Sequence, residues 1–176
     1  MVPSFLNRLF RRRRISTVDE LAAFMQAEAT YVVQVSLFGY LRARMGTQWP
    51  AYFEDEAFAP AIKASQEAGF RLCLGNLVAF VATELDVRDN HHVLLGALGQ
   101  DASLVANVDW MAPTGTAFQN SLAGLIDLAP VSLDYQAEDR EAFTNALELR
   151  WAEVRRRFEK RIDRESVKAE INKTAR

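Results

Sequence analysis

Six large apolar side chains near the C-terminal end of this sequence, Phe143, Leu147, Trp151, Val154, Phe158 and Ile162, follow one another at intervals of 4, 4, 3, 4 and 4. That is the helical period, and between them the positions are mostly charged, so the segment predicts an amphipathic helix with one buried stripe. Drawn from Ala137 to Ala169 it would be about 50 Å long at 1.5 Å per residue. A body built from 176 residues is hardly wider, so the basic end of this helix is expected to project.

A helix with one apolar stripe needs a partner surface, and the sequence supplies one. Between Pro60 and Leu85 the residues Phe70, Leu72, Leu74, Leu77, Val78, Phe80 and Val81 surround the helix axis, which places that helix at the centre of a bundle. Gly69 and Gly75 mark expected close approaches of neighbouring backbones. Thr17 followed by Glu20 is a capping box, predicting a helix from Val18 that ends near Gly46. Within it Tyr31-Val32-Val33-Gln34-Val35 is β-rich, so strand stays open beside the helix reading. Pro50 suits the first turn of a short helix through Tyr52, Phe53 and Phe58. Asp89 can cap a helix carrying Val93 to Leu98, with Gly99 as its stop. Short elements are expected over Leu104–Trp110 and Phe118–Leu128, on either side of a loop at Ala112–Thr116.

The fold class expected is therefore all-α, a single helical bundle of about six helices. It divides into an arm over residues 1–16, a body over 17–134 and a long C-terminal helix over 135–176.

Charge follows this division. The net charge is −2, yet residues 1–14 carry five arginines and no acid, and residues 150–176 carry ten basic against five acidic side chains. The 135 residues between them hold 6 basic and 18 acidic groups. Both ends suit an anionic surface, and the acidic body does not.

Chemistry is hard to find. Cys73, the sole cysteine, excludes an internal disulfide and a Cys-x-x-Cys pair, fits a reducing compartment, and lies in an apolar run that suggests a buried thiol. His91 and His92 are neighbours, about 100° apart on a helix, and cannot form an i, i+4 metal-ligand pair. No serine sits in a G-x-S-x-G elbow: Ser121 in Asn120-Ser121-Leu122-Ala123-Gly124 does not fit. No phosphate-binding glycine loop occurs. Glu54-Asp55-Glu56 and Glu138-Asp139 with Glu141 read as solvated helix starts. Glu84 and Asp86 are available as acid and base without anything to single them out. The sequence calls for no cofactor, no metal and no catalytic residue.

The N-terminal arm is more specific. Phe5, Leu6, Leu9 and Phe10 share one face of a short helix, and Arg8, Arg11, Arg12, Arg13 and Arg14 lie beside or beyond it. This is the pattern of a segment lying in a membrane interface. The arginines follow the apolar residues, opposite to a secretory signal. No stretch is expected to span a bilayer, which takes about 20 apolar residues. The expectation is a non-catalytic peripheral protein on the cytoplasmic membrane face, an adaptor or assembly factor docked on anionic lipid by this arm. A protein partner would be met by the basic end of the last helix through Arg155, Arg156, Phe158, Arg161 and Ile162. A small hydrolase or transferase with an unmarked site and a nucleic-acid-associated protein stay open as alternatives.

Overall fold

The computed structural model describes residues 14–46, 50–51, 54–56, 58–108, 110 and 136–176, and the side chains of these except 44–45 and 136–148. Among the described residues there are five α-helices and no strand. They are α1 (Val18–Met45), α2 (Phe58–Glu84), α3 (His91–Ala97), α4 (Gln136–Arg161) and α5 (Arg164–Thr174). Two 3₁₀ turns, Arg88–Asn90 and Ala102–Val105, lead into and follow α3.

Helix α1 starts at the expected capping box. Thr17 Oγ1 accepts from the Glu20 amide at 3.2 Å, and the Glu20 carboxylate turns back to accept from the Ser16 amide at 2.9 Å. The helix runs unbroken through the β-rich stretch, because Met25, Ala29, Val32 and Leu37 form a helical stripe buried from solvent. Packing on one face decides against intrinsic strand preference. Gly46, at φ 62°, ends the helix, its N–H donating to the Arg42 carbonyl.

Helix α2 begins two residues before Pro60, where Asp55 Oδ1 accepts from the Phe58 amide at 2.9 Å. Phe58 thus belongs to this helix, and Pro50 and Ala51 form a 3₁₀ turn before it. Every residue from Cys73 to Ala82 is buried, so α2 is the central helix, packed by α1, α3 and both 3₁₀ turns. At Gly75 a Cβ would stand 2.5 Å from the Leu104 carbonyl oxygen, so only glycine lets the second 3₁₀ turn come this close. The end of α2 is self-contained. Asp86 takes the left-handed conformation (φ 55°), Val87 N–H donates to Ala82 O at 2.8 Å, and Asp86 N–H donates to Thr83 O at 3.1 Å, a Schellman pattern. Gly99 closes α3 in the same way, with Gln100 N–H on Leu95 O at 2.9 Å.

Helix α4 lays its stripe on α1 and α2. The Phe80 ring meets Trp151 at 4.6 Å and Phe158 at 5.3 Å, both edge to face, and Phe24 lies 6.2 Å from Phe158. Such aromatic contacts add about 0.5–1.5 kcal/mol each beyond their buried area.

The single long C-terminal helix is not what forms. The chain breaks at Ile162-Asp163 and restarts as α5, whose Val167 and Ile171 are fully buried. Asp163 caps it, its Oδ1 accepting from the Ser166 amide at 3.3 Å. Residues 164–174 therefore fold back onto α1 and α3 and do not project. The element expected near Leu104 is the 3₁₀ turn. The one expected over 118–128, and Gly115 with its loop, lie outside the described residues.

Candidate functional site

The break between α4 and α5 is occupied by the segment that leads into α1. Ile15 N–H donates to Arg161 O and Ile15 O accepts from Asp163 N–H, both at 2.8 Å, forming a parallel bridge with Ile162. In a continuing helix the Asp163 amide would donate to Glu159 O and the Arg161 carbonyl would accept from residue 165. Both groups bond Ile15 instead, at the point where the helix stops. Val18 N–H, an orphan donor at the start of α1, donates to Glu170 Oε2 at 2.9 Å. The Ile15 side chain is buried in the common core.

This bridge places Arg14 beside the basic C-terminal part of the chain. Arg14 stands 78% exposed with its guanidinium 3.9 Å from Asp163. Around it lie the C-terminal turn of α4 and the start of α5. Arg164 reaches Glu84, donating to its carboxylate at 3.0 Å and its backbone carbonyl at 2.6 Å, and Lys168 pairs with Asp86 at 3.1 Å. Glu84, largely covered, thus helps anchor α5, while the exposed Asp86 meets it only at the surface.

The proposed partner-binding set changes accordingly. Phe158 and Ile162 are core residues, buried beneath α1 and α2, so they offer nothing to a partner; burial of the stripe continues to the last turn because α5 and Ile15 cover it. Arg155 is tied to Glu159 at 2.9 Å. Arg161 is half-buried over the Phe24 ring at 5.5 Å, and this burial lowers its pKa from the usual guanidinium value. Arg156 alone of the five is exposed and has no ion pair among the described residues. Phe5, Leu6, Arg8, Leu9, Phe10, Arg11, Arg12 and Arg13 lie outside the described residues.

Beneath the surface, α1 and α4 are joined by a charged pair that sequence reasoning missed. Arg157 donates through Nε to both Glu28 oxygens at 2.8 and 3.0 Å, through Nη2 again to Glu28, and through Nη1 to Glu153. Its guanidinium also covers the Tyr31 ring at 5.1 Å. Burial pushes the Glu28 carboxyl above its ordinary value, against the opposing pull of Arg157. Burial alone would lower Arg157, but its bonds to Glu28 carry it above the ordinary guanidinium value. The only sequence signal was an acid on the apolar face of α1, and its partner lies 129 positions away.

Other chemical groups are occupied or sealed. Cys73 is fully buried and its thiol is pushed far up by burial. His91 Nδ1 lies 2.8 Å from Arg88 O, with its ring 5.1 Å from Trp110. An open groove of about 340 Å³ runs between α2 and the second 3₁₀ turn. Arg71 crosses it to donate to Ser103 Oγ at 3.2 Å, and Asn76 turns its amide back to the Leu72 carbonyl at 2.8 Å.

One expectation about membranes needs correction. The window Val18–Ala43 of α1 is long and apolar enough to cross a bilayer by length and composition. Asp19, Glu20, Glu28 and Arg42 divide it into shorter uncharged runs, which hides its length in the sequence. In this fold just over half of that window is buried, and Glu28 within it binds Arg157, so α1 packs on the central α2 as a bundle helix.

No protein-family model, no curated protein and no solved structure matches the chain. The functional reading therefore rests on this geometry.

Proposed function

We propose that the chain is a non-catalytic peripheral membrane protein, an adaptor or assembly factor that docks reversibly on the anionic cytoplasmic face through residues 1–14 and holds a protein partner there. The observation that carries the reading is the Ile15–Ile162 bridge. It fixes the root of an arm rich in arginine and aromatic residues against the basic corner formed by α4 and α5. The docking arm would thus have a rigid foothold, which lowers the ordering cost of binding.

Anionic headgroups attract each nearby arginine by about 1 kcal/mol, so five supply on the order of 5 kcal/mol. Partial burial of Phe5, Leu6, Leu9 and Phe10 adds a few kcal/mol. The sum, less the cost of ordering the arm, gives reversible binding. Co-sedimentation with vesicles tests it. Recovery with phosphatidylserine-containing vesicles should exceed that with purely zwitterionic ones, and should fall on Phe5→Ala/Phe10→Ala with Arg11–Arg14 changed to glutamine. Equal recovery in both, or no response to the variant, contradicts the reading.

A further inference from the structure

The outer surface of α4 carries a second feature that docking by the arm does not use. Leu149, Arg156 and Lys160 are separated by 7 and 4 residues, close to two turns and one turn. At about 100° per residue the three side chains fall within about 20° of one line along the helix. That line is opposite the buried stripe of Trp151, Val154 and Phe158. Leu149 is 73% exposed, and Arg156 and Lys160 are exposed with no ion pair among the described residues. The flanking charges are engaged: Arg155 with Glu159, and Glu153 with Arg157 and Arg150.

Two like charges at i, i+4 destabilise a helix, and a solitary exposed leucine beside them gains nothing in water. Both costs disappear against a surface that is anionic and has an apolar layer beneath its charges. The ridge is convex, so it offers no groove to hold a peptide, but it can lie along a flat sheet. It is also carried by the helix whose last carbonyl holds Ile15.

We infer that Leu149, Arg156 and Lys160 form a second lipid-contacting surface, so that the protein rests on an anionic bilayer with α4 lying along it. This deepens the docking proposed above and rests on it for the identity of the surface. The two long cationic side chains splay sideways to the headgroups, and Leu149 meets the boundary two turns along the same line.

The experiment uses the full chain and vesicles with and without phosphatidylserine. Each cation near the surface contributes roughly a fivefold effect on partitioning, so Arg156→Gln/Lys160→Gln should lower it about 25-fold with an unchanged thermal midpoint. In parallel, Leu149→Cys is labelled with a polarity-sensitive dye, the sealed Cys73 thiol being unreactive. A blue shift with anionic vesicles, absent from a Lys63→Cys control on α2, is the expected result. Unchanged partitioning of the Gln pair, or a dye that stays in water, overturns the ridge. If the arm variant alone loses binding, the arm proposal stands and the ridge falls. If the ridge variant alone loses binding, the reverse holds. A dye shift on adding polyglutamate and none with vesicles overturns the lipid assignment in favour of an acidic protein.

Discussion

Helices α2 and α4 end in opposite ways. The end of α2 is closed by its own residues, with Asp86 in the left-handed conformation and Val87 returning to Ala82. The end of α4 is closed by Ile15, which takes the carbonyl that would have continued the helix. One boundary is written locally; the other exists only once the fold has brought distant segments together. The comparison separates what a short window of sequence can specify from what requires the assembled protein.

The largest effect should come from the stripe that both helices share. Phe158→Ala removes a ring packed on Phe24 and Phe80 and should cost about 3–5 kcal/mol in denaturant unfolding. A loss below about 1 kcal/mol would mean that α4 is not docked as described.

Glu28→Ala comes next. It leaves Arg157 half-buried without its main partner and should cost about 3 kcal/mol. The same carboxyl gives a pH signature. Its pKa is raised in the fold above the ordinary 4.5, so the folded state holds its proton more firmly than the unfolded one. The proton-linked part of its stability is therefore complete below that ordinary value and is lost as pH rises through the raised one, while the ion pair with Arg157 persists above it. Glu28→Gln should flatten the stability profile in this interval; an unaltered slope there would assign the pH dependence elsewhere.

The two helix ends differ more finely in the next pair. Ile15→Pro deletes the N–H that binds Arg161 O and part of a buried core side chain, and should cost about 2–3 kcal/mol. It should also unprotect the Asp163 amide in hydrogen exchange while leaving Val87 protected. If both amides respond alike, the two boundaries are not independent. Asp86→Gly should have the smallest effect, a stabilisation of roughly 0.5 kcal/mol. It relieves a left-handed residue and gives up only the exposed contact with Lys168. A marked destabilisation would show that this contact holds α5 in place.

The same distinction explains how far the sequence could be read. The capping box at Thr17 and Glu20, the central position of α2, the close approach at Gly75 and the stripe from Trp151 to Ile162 were all visible, because each depends on residues within a few turns. The break at Ile162-Asp163 has neither glycine nor proline. Its one local sign is Asp163 as a cap with Ile162 before it and Val167 four positions into the new helix, the spacing of a hydrophobic staple. The charged tie between Glu28 and Arg157 had no sign beyond an acid in an apolar face. Basic character at both ends of the chain was plain from counting; that Arg14 stands beside Asp163 was not, since composition carries no information about proximity.

The bond from Val18 to Glu170 spans 152 positions, and this bears on how the protein is made. During synthesis α1 and α2 can pair early, but both polar atoms of Ile15 must wait for residues 161–163, and the amide at the head of α1 for Glu170. Until then Ile15 stays uncovered beside a run of arginines. The nascent protein thus passes through a stage in which the stretch ahead of α1 is sticky and cationic, and closure of the bridge is the event that brings that stage to an end.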